Sequence, residues 1–337
     1  MKRLFYSFFV VLFLSISVNS NAQKVDSRYE VATWFEFRDA AVSYTFDDGC
    51  PNQFAKVIPL FDEFGYKLTL FTVTDWSSSN WTILQSVAKN GHEVASHTVS
   101  HPNFSSTTLE NQLKELQNSK LEIEKKIANI QCVTFAYPFC ATGDYSICRR
   151  FYISARGCQG FVEEKTPKDM LKISSIVCGT EGSLKTAADI NNTAQSAISA
   201  KGWAVLLFHG IDNDGGYSPF PLTELRKNLE YMKKNESRIW VATFADASRY
   251  VRERDALNVK ELKLASDCIT LEVSDTLDNA LFNHAVSLSR SLPANWTDAE
   301  VTQNGKSVAS KLIEVGTSRK VQFDVVPDAG EVKILKR

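Results

Sequence analysis

The stretch Val42-Ser43-Tyr44-Thr45-Phe46-Asp47-Asp48-Gly49 decides how this chain is read. Its apolar, β-prone residues predict a buried strand, and the run breaks off at two adjacent carboxylates and a glycine. Further along, Ser96-His97-Thr98-Val99-Ser100-His101 holds two of only five histidines. A strand ending in carboxylates delivers them to a sheet edge, where a His-x-x-x-His pair from a later connection can complete a three-ligand metal shell. The four-residue spacing predicts that both imidazoles project from one side of a helical turn.

Working outward, the chain from Trp34 to Tyr250 alternates between β-like and helix-like runs. Helical periodicity follows the first strand over Asn52 to Phe64, a second strand covers Leu68 to Val73, and a second helix covers Trp81 to Lys89. A third strand over Glu93 to Ser96 precedes a long helix from Thr108 to Ile127, with Leu109, Leu113, Leu116, Leu121 and Ile127 expected on its inner side. Val133 to Tyr137 is a fourth strand, ending at Pro138. The stretch from Arg149 to Thr186 is irregular. Regularity returns with a helix over Ala187 to Ala200, a strand Trp203 to Phe208 ending at His209-Gly210, a helix from Thr223 to Lys234, a strand over Ile239 to Thr243 and a helix from Phe244 to Arg254. This order predicts a parallel sheet wrapped by helices, with the site at the C-terminal strand ends. Asp47, Asp48, His97, Pro138 and His209 all fall there.

After about Leu257 the pattern changes to short alternating runs separated by turn signals such as Asn304-Gly305, the mark of an antiparallel β-sandwich. It carries one histidine, His284, and no cluster of catalytic groups. The chain therefore divides into residues 23–256, an α/β domain, and 257–337, an accessory β-sandwich for packing or carbohydrate binding.

Met1-Lys2-Arg3, an uncharged apolar run from Leu4 to Val18 and small residues before Gln23 predict a secretory signal peptide over residues 1–22. Removing it leaves about 315 residues, enough for a large and a small domain. The whole chain carries a formal net charge of −1, which argues against a nucleic-acid or anionic-membrane partner, since both favour a basic patch. The seven cysteines form no C-x-x-C pair. In an oxidising compartment one or more disulfides are expected among Cys132, Cys140, Cys148, Cys158 and Cys178, with buried reduced thiols as the alternative.

Two neighbouring carboxylates are chemically useful when one ligates a metal and the other remains free to take a proton. One carboxylate and two histidines leave coordination positions open, the arrangement of a catalytic rather than a structural site. Asp47-Asp48-Gly49 alone would equally serve as a turn or cap, and His209 alone as a core histidine. Their recurrence at equivalent strand ends favours the chemical reading.

Thr45-Phe46-Asp47-Asp48-Gly49, Ser96-His97-Thr98-Val99-Ser100-His101-Pro102, Phe135-Ala136-Tyr137-Pro138-Phe139 and Leu207-Phe208-His209 resemble, in order, the motifs of the polysaccharide deacetylase family (the NodB homology domain, carbohydrate esterase family 4). The resemblance covers roughly residues 36 to 255 and leaves out the sandwich. It implies a deformed (β/α) barrel and a divalent metal, usually Zn2+ and sometimes Co2+ or Ni2+. By the match, Asp48, His97 and His101 are the metal ligands, Asp47 the catalytic base and His209 the acid. Tyr137, Pro138 and Phe139 are the substrate and oxyanion segment, with the Phe139 N–H as oxyanion donor. The implied substrate is an acetylated polysaccharide or oligosaccharide and the implied location periplasmic or extracellular.

Two departures matter. Many members carry an arginine two residues before the motif proline to orient the base, and this chain has Ala136 there. Arg156, in Ser154-Ala155-Arg156-Gly157, is the candidate to supply that guanidinium from another strand. The Asp-and-Trp element that commonly orients the acid is not evident. The missing arginine also motivates an alternative, a catalytically weakened carbohydrate-binding protein on the same barrel.

Overall fold

The computed structural model describes residues 23–337. The expected signal peptide, residues 1–22, lies outside the described residues. In chain order the elements are β1 (Lys24–Val25), β2 (Tyr29–Val31), β3 (Ala40–Asp47), α1 (Ile58–Phe64), β4 (Thr69–Thr72), α2 (Trp81–Lys89), β5 (Glu93–Ser96), α3 (Leu109–Lys126), β6 (Thr134–Ala136), α4 (Tyr145–Cys148), β7 (Ser154–Arg156), β8 (Ile176–Val177), α5 (Ala187–Ala200), β9 (Trp203–Phe208), α6 (Leu222–Lys234), β10 (Ile239–Val241) and α7 (Phe244–Ala256). Eight further strands follow: β11 (Asn258–Leu264), β12 (Cys268–Ser274), β13 (Val286–Ser291), β14 (Ala299–Gln303), β15 (Lys306–Ser307), β16 (Ser310–Val315), β17 (Ser318–Val325) and β18 (Val332–Lys336).

The first sheet is parallel, in the order β7-β6-β5-β4-β3-β9-β8, with β10 also pairing β3. All eight residues of β3 are buried, as its unbroken apolar run requires of a central parallel strand. One side of β3 is occupied by β9, while the other is shared, with β10 at Ala40–Val42 and β4 at Thr45–Asp47. That division is what deforms the barrel. On the far side, among the described residues, no regular strand flanks β7. Backbone hydrogen bonds from the Ala155 N–H to the Met170 carbonyl, from the Ile173 N–H to the Ala155 carbonyl and from the Gly157 N–H to the Ile173 carbonyl lay the irregular segment along it before β8 joins β9.

The helices cover the outside of the sheet. Thr108 caps α3 by accepting from the Asn111 N–H, and Thr186 and Asp189 form a capping box on α5. The inner face of α3 differs from the expectation. Gln112, Leu116, Ser119 and Ile123 are buried, whereas Leu109 and Leu121 are exposed. The leucines suggest a stripe rotated from the true one because two buried positions are polar. Gln112 donates to the Phe104 and Thr107 carbonyls, and the Ser119 and Ser96 hydroxyls bond to each other at 2.6 Å.

The remaining strands form two sheets, β1-β11-β12-β18-β14-β15 and β16-β17-β13-β2. The N-terminal strands β1 and β2, within the stretch expected to belong to the barrel, pair with β11 and β13 of these sheets. One apolar cluster runs from the barrel interior (Ala41, Phe71, Ala95, Ala136, Trp203) through Trp34, Trp240 and Tyr250 into the sandwich core at Leu271, Leu288 and Phe323. Trp34 sits at the junction. Its ring lies within 6.5 Å of Trp203, Trp240 and Tyr250, and its Nε1–H donates to the Lys201 carbonyl. Among the described residues no helix is long and apolar enough to cross a membrane.

Candidate active site

Parallel strands place their C-terminal ends on one side of the sheet, so residues distant in sequence converge. Asp47 ends β3, His97 follows β5, Arg156 ends β7 and His209 follows β9. Gln53 ties two of these ends together by donating to the carbonyls of Asp47 (2.6 Å) and His209 (2.9 Å).

The two metal-type histidines lie on a loop rather than the expected helical turn. Thr98 and His101 both have left-handed backbones, with φ of 72° and 61°. Such conformations are costly and persist where surrounding contacts enforce them. Glu115 of α3 does so here by accepting from the N–H groups of Val99 and Ser100 and from the Ser100 hydroxyl. The Thr98 hydroxyl accepts from the His101 N–H, and the Thr98 and Val99 carbonyls accept from Thr74 and Asp75.

Asp48 Oδ1 stands 3.6 Å from both His97 Nε2 and His101 Nε2. It is buried without a hydrogen-bond partner, which is costly unless a cation satisfies it. The Nδ1–H of His97 donates to the Ala136 carbonyl at 2.8 Å, which turns the Nε2 lone pair toward the cluster. Ligands held about 2.0–2.1 Å from a tetrahedral ion lie about 3.3 Å from one another, close to the spacing seen. Asp48, His97 and His101 therefore fit a divalent metal, and they are the residues whose ligand atoms cluster for one among the described residues. The electrostatics agree. Burial and the adjacent Asp47 push the Asp48 carboxyl up to about 6, and burial brings His97 down to about 4, so the imidazole is neutral as a ligand must be.

Asp47 is buried beside this cluster, and its two oxygens face different groups. Oδ1 accepts a hydrogen bond from the Arg156 guanidinium. Oδ2 lies 3.6 Å from His97 Nε2 and 4.0 Å from His209 Nε2. Burial pushes the Asp47 carboxyl up, but Arg156, His97 and His209 outweigh it and hold the group below its ordinary value. Arg156 also lies 4.8 Å from the Phe71 ring. Its strand position explains how it replaces the absent arginine: Ala136 and Arg156 are register partners on β6 and β7.

His209 faces Asp47 with no partner on its buried Nδ1, in keeping with the missing orienting pair. The ring of Tyr217 packs edge-on against it at 5.1 Å. Burial lowers its pKa while Asp47 and Asp48 pull it back up. Phe139 lines the cavity with a left-handed backbone (φ 54°), and its N–H has no acceptor among the described residues. Tyr137, packed against Phe104 and Phe135, also lines the cavity, whereas Pro138 is buried outside the lining.

The cavity has a volume of about 480 Å³. Sequence reasoning missed Tyr217, and Trp76, whose exposed ring lies 5.1 Å from that of His101. Tyr217 lies in a loop and Trp76 in a short 3-10 turn, both lone aromatics without a motif to single them out. Of the five cysteines considered for pairing, Cys140 and Cys158 form a disulfide at the cavity wall and Cys132, Cys148 and Cys178 are free, as are Cys50 and Cys268.

A parallel barrel carrying a carboxylate–imidazole cluster beside a second, arginine-held carboxylate is an arrangement suited to metal-assisted hydrolysis. Residues 36–150 match the polysaccharide deacetylase family. Over 328 residues it is 26% identical to a gellan lyase of a Bacillus species, an alignment covering 91% of this chain and 13% of that protein. An uncharacterized protein of Bacillus subtilis, YlxY, is 29% identical over 72 residues, 21% of this chain and 23% of that one. The chain thus spans under a quarter of the length of either curated relative. Among solved structures, a Mycobacterium smegmatis protein assigned as a polysaccharide deacetylase superposes with a TM-score of 0.51 at 16% identity, covering 70% of this chain and 98% of that one.

Proposed function

We propose that this protein is an exported, metal-dependent carbohydrate deacetylase that hydrolyses N-acetyl or O-acetyl groups on a glycan. The observation that carries the reading is the division of labour between adjacent carboxylates: Asp48 Oδ1 faces two imidazoles while Asp47 is held by Arg156. Asp48, His97 and His101 would hold a divalent ion, with zinc the expected one, and it would supply Lewis acidity at the acetyl group. Asp47 is the base. With Oδ1 engaged by Arg156, its Oδ2 accepts the proton of the attacking water. His209, 4.0 Å from that oxygen, delivers a proton to the leaving amine or hydroxyl. The free N–H of Phe139 donates to the oxyanion that develops on the acetyl carbonyl. The β-sandwich, residues 257–337 together with β1 and β2, serves as a packing module for the barrel.

The binding-only alternative drew on the lack of an arginine at position 136, and the Arg156 contact to Asp47 supports the catalytic reading instead. An acetate-release panel on zinc-loaded protein, comparing chitooligosaccharides, peptidoglycan and acetylated xylan, tests the proposal. Release that is abolished by chelation and by Asp47→Asn supports it; release indifferent to both overturns it.

A further inference from the structure

We infer that the Cys140–Cys158 disulfide positions the reacting groups, tying the turn that presents the Phe139 N–H to the strand end that presents Arg156. This rests on the assignment of Asp47 as base and Phe139 as oxyanion donor. Three observations carry it.

The first is the place of the bond. Cys140 directly follows Phe139, Cys158 lies two residues beyond Arg156, and both cysteines line the cavity with Asp47 and His209. The Cα atoms are 5.6 Å apart, within the ordinary range for a disulfide.

The second is the backbone that the bond holds. Phe139 and Cys140 are consecutive non-glycine residues in the left-handed region, with φ of 54° and 58°. That pair is costly and needs something to enforce it. The turn's own backbone supplies two hydrogen bonds, from Cys140 to the Tyr137 carbonyl and from Ala141 to the Pro138 carbonyl. Phe139 itself is 64% exposed, and its ring contact is with the His101 imidazole at 4.6 Å, on another loop, so its own turn gains little packing support.

The third is the weakness of the strand end on the other side. β7 has three residues, Arg156 is its last, and its outer neighbour is the irregular segment around Ile173 rather than a regular strand. An arginine carried there has less backbone support than one on an interior strand, and the disulfide replaces it. The same covalent link thus fixes an oxyanion donor and the partner of the base relative to each other.

The experiment compares wild type with Cys140→Ser/Cys158→Ser, and with wild type reduced while folded in case the double variant does not fold. Thiols titrated in denaturant should number five in the oxidised protein and seven after reduction. Loss of the bond should lower kcat by about 10²-fold, the scale set by a misplaced reacting group, while KM changes little. A readout independent of turnover is the ¹⁵N-edited side-chain spectrum of Arg156, assigned with Arg156→Lys. Its separate, slowly exchanging Nη–H signals should merge once the disulfide is gone. Unchanged kcat and unchanged Arg156 signals, with only a lower melting temperature, would overturn the inference and leave a staple for the fold. Seven thiols without reduction would also overturn it. If oxidised wild type releases no acetate from any substrate, the proposed activity fails, and the Arg156 spectrum alone decides the positioning role.

Discussion

Replacing Arg156 with Met removes the cation and keeps most of the apolar stem. Arg156 and Asp47 side chains are 1% and 3% exposed, so the carboxylate left behind gains no compensating water. Breaking a buried ion pair from one side costs about 3–5 kcal/mol, and the variant should lose about that much stability at pH 7. The loss also depends on pH. In wild type the folded pKa of Asp47 is depressed, so its stabilisation is present above the unfolded carboxyl's pKa of about 3.9 and disappears as pH falls through the folded value. Without Arg156 the largest remaining influence is burial, which raises the pKa. The native carboxyl then protonates sooner than the unfolded one, and the neutral acid no longer needs a partner. The deficit should therefore be largest near neutral pH and shrink toward pH 4. Urea unfolding of the chelated proteins at the two pH values measures it. A loss under about 1 kcal/mol at pH 7, or one independent of pH, would refute the assignment, since even a typical exposed pair contributes up to about 1 kcal/mol. Returning the guanidinium to the neighbouring strand in Ala136→Arg/Arg156→Ala should recover part of the lost stability.

Other outcomes follow from the same geometry. His101→Ala should weaken zinc binding, measured by competition with a chromophoric chelator, by more than the roughly 10–100-fold that loss of a supporting hydrogen bond costs. His209→Ala should lower kcat by about 10²–10⁴-fold while leaving zinc stoichiometry intact, because it is not among the clustered ligands. At the barrel–sandwich junction, burial pushes the Glu253 carboxyl up to about 8, although its Oε1 accepts from the His284 N–H. A carboxyl with a raised folded pKa destabilises as pH climbs from the unfolded value toward the folded one. Glu253→Gln should accordingly be the more stable protein at pH 8, by up to about 5 kcal/mol, with the gain vanishing near pH 4 in thermal or urea unfolding.

Much of this architecture is legible in the sequence because parallel strands that are buried on both faces must be continuously apolar. Val42 to Phe46 and Trp203 to Phe208 could hardly be anything else, and the polar residues that end them mark the functional face. The sandwich was legible from alternation and turns. Three features were not. The His97–His101 loop has helical spacing but non-helical dihedrals, because Glu115 and the Thr98 hydroxyl hold its backbone through contacts that periodicity cannot encode. The inner face of α3 was misplaced because Gln112 and Ser119 are buried polar residues satisfied by partners elsewhere. Strands β1 and β2 are two and three residues long, too short for any pattern, and their pairing is set by the sandwich.

The alanine at 136 is best understood as space. Register partners on adjacent parallel strands lie about 4.8 Å apart and point to the same face, so their side chains compete for one volume. Ala136 and Arg156 are such partners, and Ala136 belongs to the apolar interior of the barrel with Phe71, against which the guanidinium lies. A long cation at both positions would place two guanidinium groups against one carboxylate and leave one of them buried without a counter-charge, a cost of several kcal/mol. Only one of the two positions can carry the arginine, and the other must be small. On that argument Ala136→Arg introduced alone should destabilise the protein more than it does in the Arg156→Ala background, a difference a double-mutant cycle measures directly.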